Sequence, residues 1–214
     1  MEREYCSEFV DLNYRSFLNK SRILHTLLNG GVLPVEHPVD AKFKILILGD
    51  YAVGKTSLVR TFVEKKFTED YIPSIGVNLY VKDVRLELQE KKLNVTLALW
   101  DIAGQQMFQS MLPAYYLGAS GIFFVADLTR PESFDNLALW HKDLRKTIPG
   151  HLPTILLANK CDLKPAVDDE LVVKTAEKVR ASSFFKTSAK TGEKVQVAFN
   201  NLAMDIFKDN FGKF

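Results

Sequence analysis

Apolar and polar positions recur along this chain with two periods, and the changes of period mark out its elements. Cys6, Phe9, Val10, Tyr14, Phe17, Leu24 and Leu28 fall at helical spacing, which predicts a helical extension over 1–30. Gly30 and Gly31 end it, and Pro34 and Pro38 make 31–41 a linker. Positions 43–48 form a short apolar run that reads as a strand. Period-two alternation over 77–88 and 93–99, around a polar turn at 89–92, predicts an antiparallel hairpin. The runs 121–126 and 154–158 are almost wholly apolar, as expected of strands covered on both faces. A last short strand is predicted at 183–186. Phe134, Leu137, Leu144 and Ile148 mark one helix between strands. Val195, Ala198, Phe199, Leu202, Ala203, Ile206 and Phe207 mark the last. Residues 42–214 therefore read as one α/β domain with a mostly parallel sheet and helices on both faces.

Sheets of this kind bind ligands beyond the carboxyl ends of their strands, so the chemistry is sought there. The first strand runs into Gly49-Asp50-Tyr51-Ala52-Val53-Gly54-Lys55-Thr56, the pattern G-x-x-x-x-G-K-[ST] between a strand and a helix. Its backbone N–H groups can curl around phosphate oxygens, and the helix that follows adds its positive end. The candidate phosphate cradle is Asp50, Tyr51, Ala52, Val53, Gly54, Lys55, Thr56 and Ser57. Lys55 can reach the β- and γ-phosphates, and the Thr56 hydroxyl can ligate Mg²⁺. After the third strand comes Asp101-Ile102-Ala103-Gly104-Gln105. Asp101 is a candidate Mg²⁺ ligand, direct or through water. Gly104 lets a backbone N–H approach a γ-phosphate, and the Gln105 amide can orient an attacking water. After the fifth strand comes Asn159-Lys160-Cys161-Asp162. A fixed Asp162 carboxylate can accept from guanine N1–H and the N2 amino group, donors that adenine lacks in that arrangement. Asn159 braces the loop, and the Lys160 stem covers one face of the base. Ser188-Ala189-Lys190 follows the last strand, where the Ala189 N–H can reach guanine O6. D-x-x-G and S-A-K mean little alone; the order of all four motifs, each at a strand end, carries the reading.

On these motifs the chain, from Lys42 to about Phe207, resembles the small GTPases of the Ras superfamily. It is most similar to the Rab branch, through Ser74-Ile75-Gly76-Val77, Trp100-Asp101-Ile102-Ala103-Gly104-Gln105, Tyr115-Tyr116-Leu117-Gly118-Ala119 and Phe124-Val125-Ala126-Asp127-Leu128-Thr129. The resemblance implies a P-loop NTPase fold of six strands, one of them antiparallel. It implies a GTP/GDP switch that uses Mg²⁺, hydrolyses GTP with Gln105 and Lys55, and recruits effectors when GTP is bound. It places Ser74 where the family usually has a threonine that completes the Mg²⁺ shell, giving Thr56, Ser74 and Asp101 as metal ligands. It places Phe67 near base and ribose, and Tyr71 over the phosphates. Exchange factors, activators and effectors would read 67–77 and 101–117, with Leu79, Trp100 and Tyr115 part of the surface. Tyr51 departs from the small residue usual in the phosphate loop. A phenol beside the γ-phosphate crowds the transition state or an activator's arginine, so hydrolysis is expected to be slow. A guanine-nucleotide-binding module with little turnover, and a P-loop kinase, are the alternatives. Gln105 argues against the first and the guanine-specifying Asp162 against the second.

Composition changes this picture little. Among 214 residues, 47% are hydrophobic and 25% charged, the balance of a soluble domain. A net charge of +2 gives no ground for nucleic acid as partner. Cys6 and Cys161 have no metal-ligand spacing and fit a reducing compartment. With neither a spanning run nor a secretory signal, the expectation is cytoplasmic, peripheral to a membrane only through a partner. No C-a-a-X ends the chain and Glu2 excludes myristoylation, so no lipid anchor is visible: either the protein carries none or a C-terminal tail has been removed. The helix over 1–30 balances Glu2, Glu4, Glu8 and Asp11 against Arg3, Arg15, Lys20 and Arg22, which favours packing on the domain or a protein partner over lipid. His25, His37, His141 and His151 form no ligand set, and Trp140 reads as helix packing.

Overall fold

A computed structural model describes residues 41–68, 74, 76–88, 91–104 and 112–212. The helix over 1–30, most of the linker, Tyr71 and Gln105 lie outside the described residues. In chain order the elements are β1 (Ala41–Leu48), α1 (Lys55–Glu64), β2 (Val77–Leu88), β3 (Lys91–Ile102), α2 (Leu112–Tyr116), β4 (Gly121–Asp127), α3 (Pro131–Asp135), α4 (Leu137–Thr147), β5 (Thr154–Asn159), α5 (Asp169–Lys178), β6 (Ser183–Thr187) and α6 (Val195–Phe211). The strands form one six-stranded sheet in the order β2-β3-β1-β4-β5-β6, five parallel and one antiparallel. The segment Asp83–Thr96 belongs to one compact unit, in which Thr96 Oγ1 donates to Asp83 Oδ1 at 2.7 Å. Phe43–Lys82 and Leu97–Phe214 form the other, which holds everything that follows.

The strand order reverses direction at β1, so the loop after β1 opens into a crevice at the topological switch point. β4 and β5 are buried along their whole length because helices cover both faces of the sheet. Their register pairs Asp127 with Asn159, and that of β5 and β6 pairs Asn159 with Thr187, so these strand ends lie side by side. α6 buries its apolar stripe at helical spacing, Val195 through Phe207. Within it Phe199 stacks on Phe62 of α1 at 4.1 Å and meets Phe123 of β4 at 4.6 Å. Truncating so buried a ring costs about 3–5 kcal/mol, so this cluster fixes α1, and with it the loop before α1, to the sheet.

The structure departs from the sequence reading at the margins. β1 begins at Ala41, within the expected linker. The helix expected around Phe134 to Ile148 is two, α3 and α4, meeting at Asn136. Asn136 stays helical in backbone (φ −68°, ψ −20°), and its carbonyl accepts from both Leu139 N and Trp140 N, so the hydrogen bonding shifts there. No apolar periodicity announces α5, because only Val172, Thr175 and Ala176 are buried along a segment that is half charged. Its start is nonetheless well marked: Asp168 caps it by accepting from Leu171 N at 2.9 Å, with Asp169 and Glu170 in the first turn.

Candidate functional site

Past the ends of β1, β5 and β6 lies a cleft of about 410 Å³. Tyr51, Ala52, Gly54, Lys55, Thr56 and Ser57 line it from the loop and start of α1, together with Phe67, Ser74 and Gly104. Asn159, Lys160, Asp162, Ala189 and Lys190 line it from the loops after β5 and β6. Four motifs far apart in sequence thus share one cavity. Of the other candidates, three that the structure describes stand behind its wall. Val53 and Ser188 are buried, Asp101 is reached through Thr56, and the Asp50 carboxylate takes its partners outside the cleft lining.

The phosphate loop is held by its own backbone. Lys55 Nζ donates to the carbonyls of Gly49 at 2.8 Å and Asp50 at 2.7 Å. Burial lowers the Lys55 pKa from 10.5 to about 8, against the opposing pull of Asp101 and Asp50. An anion beside this ammonium relieves the cost of burying it. Gly54 sits at φ +95°, and a Cβ there would come within 2.3 Å of Asn159 Nδ2. That amide donates to Val53 O at 2.9 Å. On its other side Asn159 Oδ1 accepts from Ala189 N and Thr187 Oγ1, each at 3.3 Å. One buried side chain therefore ties the phosphate loop to both loops on the far side of the cleft. Asp162 accepts from Ser188 Oγ at 2.6 Å, which fixes its carboxylate. The Ala189 N–H, read from sequence as a donor to guanine O6, here donates to Asn159.

Thr56, Ser74 and Asp101 converge. Thr56 Oγ1 donates to Asp101 Oδ2 at 2.6 Å and lies 2.6 Å from Ser74 Oγ. Thr56 has one hydroxyl hydrogen, already given to Asp101, so Ser74 is the donor to Thr56. Asn78 Nδ2 also approaches Asp101 Oδ2, at 3.4 Å. Asp101 is fully buried, and its Oδ1 has no hydrogen-bond partner among the described residues. A buried carboxylate oxygen left unpaired is costly. The donor set is all hard oxygen, which fits Mg²⁺. Gly104 packs directly on the phosphate loop: a Cβ there would lie 2.4 Å from Asp50 C and from Tyr51 N.

Several contributors escaped the sequence reading. Arg60, Lys66, Thr68 and Leu163 also line the cleft. Asp50 is gripped by Asn136 Nδ2 at 2.7 Å and by Trp140 Nε1 at 3.1 Å. Trp140, expected to be packing only, is thus a polar anchor of the phosphate loop. Asp127, fully buried at the end of β4, forms an ion pair with Lys160 Nζ at 2.6 Å. Burial alone would raise the pKa of Asp127. Lys160, together with the N–H and hydroxyl of Thr129, outweighs burial and holds it below the usual carboxylate range. Although Asp127 falls in the 124–129 stretch quoted above, no sequence pattern signals the roles of these residues, because those roles depend on which strand ends lie side by side.

Residues 44–208 match the sequence model of the Ras family. The chain belongs to the Ras family. It is 39% identical to the Ras-related protein Rab-13 of Canis lupus familiaris over 176 residues, which cover 81% of this chain and 84% of that protein. It is similar to Rab-10 of Diplobatis ommata, 37% identical over 79% of this chain and 83% of that protein. It is also similar to Rab-1C of Dictyostelium discoideum, 35% identical over 80% of this chain and 85% of that protein. As a Rab-like member of the Ras family it is a small GTPase, a GTP-hydrolysing switch of membrane traffic. An interaction module with little turnover is not favoured. No helix among the described residues is long and apolar enough to cross a membrane.

Proposed function

We propose that the cleft holds GDP or GTP with Mg²⁺ and that GTP hydrolysis in it is slow. The carrying observation is that Thr56 and Ser74, on the wall of a cavity that also contains Lys55, meet Asp101 behind it, whose buried Oδ1 is unpaired among the described residues. Thr56, Ser74 and Asp101 would hold the metal, which supplies positive charge to the β- and γ-phosphates. Lys55 gives its Nζ protons to phosphate oxygens in place of the Gly49 and Asp50 carbonyls. Phe67 and the Lys160 stem cover the base, and Asp162 reads its N1–H and amino group while Asn159 keeps the loops in place. Ser188 holds Asp162 in orientation. Ala189 and Lys190 close the base end of the cleft, and Tyr71 covers the phosphates. Gln105 orients the attacking water, and Gly104 brings its N–H to the γ-phosphate. Tyr51, at the rim of the cleft, restricts access to that phosphate and slows the reaction.

In this reading the segments 67–77 and 101–117 order around the γ-phosphate and relax after its loss. Effectors, exchange factors and activators bind there, and Leu79, Trp100 and Tyr115 contribute to the surface. Residues 42–214 are the switch domain. The segment 1–30 is a helical extension joined by the linker 31–41, and it packs on the domain or takes a protein partner. The protein is cytoplasmic and meets membranes peripherally. Multiple-turnover hydrolysis of GTP, with ATP as control and with and without Mg²⁺, tests the proposal. Slow turnover that needs both guanine and Mg²⁺ supports it, and equal use of ATP overturns it.

A further inference from the structure

Arg130, in the turn between β4 and α3, meets the phosphate loop from outside the cleft. Its Nη2 donates to the Tyr51 carbonyl at 2.8 Å, and its guanidinium carbon lies 5.4 Å from the centre of the Tyr51 ring. Its Nε forms an ion pair with Asp127 Oδ2 at 3.4 Å, the oxygen that also pairs with Lys160 Nζ; the more exposed Glu132 is 4.0 Å away. The Arg130 side chain is 25% exposed, whereas Tyr51 is 59% exposed although it lines the cleft. A ring so exposed has little packing to hold it, so its position rests on the guanidinium above it and on the carbonyl beside it.

We propose that Arg130 is a positioning residue for hydrolysis, holding the Tyr51 ring at the rim of the cleft and away from the γ-phosphate. This rests on the nucleotide reading above. Two contacts of one side chain then have separable effects. The bond to the Tyr51 carbonyl, shared through Asp127 with Lys160, steadies the loop and slows nucleotide release whatever side chain stands at 51. The contact with the ring matters only while a ring is there. Arg130 also adds positive charge near Lys55, one of the influences that lower its pKa.

The test is a double-mutant cycle on the whole chain with Arg130→Ala and Tyr51→Gly, reading single-turnover hydrolysis from the GTP-loaded protein and release of fluorescent GDP from the GDP-loaded protein. In the wild-type background Arg130→Ala slows hydrolysis about two- to fivefold, the size of a partly exposed cation–π contact. With glycine at 51 the same change loses most of that effect. Release rises about threefold to tenfold in both backgrounds, as expected for one solvent-exposed hydrogen bond. Arg130→Lys keeps a charge but cannot serve ring, carbonyl and carboxylate together, so it falls between. Equal slowing in both backgrounds, or none in either, overturns the proposal. A wild type that binds no guanine nucleotide or does not hydrolyse GTP overturns the reading beneath it instead.

Discussion

Asn159→Ala removes the side chain that joins three loops. It deletes one good hydrogen bond, to Val53 O at 2.9 Å, and two long ones, from Ala189 N and Thr187 Oγ1 at 3.3 Å. A buried polar group left without a partner costs about 1–3 kcal/mol. Counting Val53 O in full and the two long contacts at a fraction gives about 2–4 kcal/mol. In a chain of this size that lowers Tm by about 5–15 °C. Calorimetry of the GDP-loaded protein reads the loss, and release of fluorescent GDP reads its effect on the site. Asn159→Asp should cost at least as much, because it keeps the acceptor but turns a second oxygen toward the Val53 carbonyl. Gly54→Ala breaks the same bond from the other side, since its Cβ would come within 2.3 Å of Asn159 Nδ2. The double variant Gly54→Ala/Asn159→Ala should therefore lose less than the sum of the singles. A shift in Tm under about 2 °C for Asn159→Ala, or full additivity in the double variant, refutes the reasoning.

Further outcomes follow from the same geometry. Asp101→Asn removes the carboxylate that accepts from Thr56, and Mg²⁺ affinity should fall by about 10–100-fold, measured as the Mg²⁺ dependence of GDP release. Gly104→Ala pushes its segment off the phosphate loop, because the Cβ would meet Asp50 and Tyr51 at 2.4 Å. GTP should then lose affinity relative to GDP, which competition binding reads as a reduced GTP-to-GDP affinity ratio. His141 has its pKa lowered from 6.5 by burial and by the neighbouring Arg145 and Arg180, with its ring edge-on to Phe124. The native state thus resists protonating it, so as pH falls below about 6.5 the unfolded chain takes up the proton first and stability drops. His141→Gln should flatten the fall in Tm between neutral and mildly acid pH, and an unchanged slope counts against this assignment.

Sequence patterning reached the α/β architecture and its strand ends because buried parallel strands leave continuous apolar runs. The phosphate loop was legible because its backbone geometry demands glycines at fixed spacing. What sequence did not reveal depends on lateral contact between strands. Trp140 read as packing because nothing along the chain says that Asp50 lies beside it. Arg130 carries no motif, and Asp127 falls in the 124–129 stretch without any sign there that it pairs with Lys160. Ala189 shows the same dependence on lateral contact: its N–H, expected to face a ligand, donates to Asn159. α5 was missed since its buried positions are few, although Asp168 and the acidic residues behind it were a readable cap.

The register that sets Asp127, Asn159 and Thr187 side by side also limits how this chain can change length. Removing one residue within β5 would turn Asn159 to the opposite face of the sheet and point the base-reading loop away from its partners. Insertions between 164 and 167, before the Asp168 cap, leave that row untouched. Tolerance to added or lost residues should thus be confined to stretches such as 164–167 and vanish within the strands and in the site loops that directly follow them.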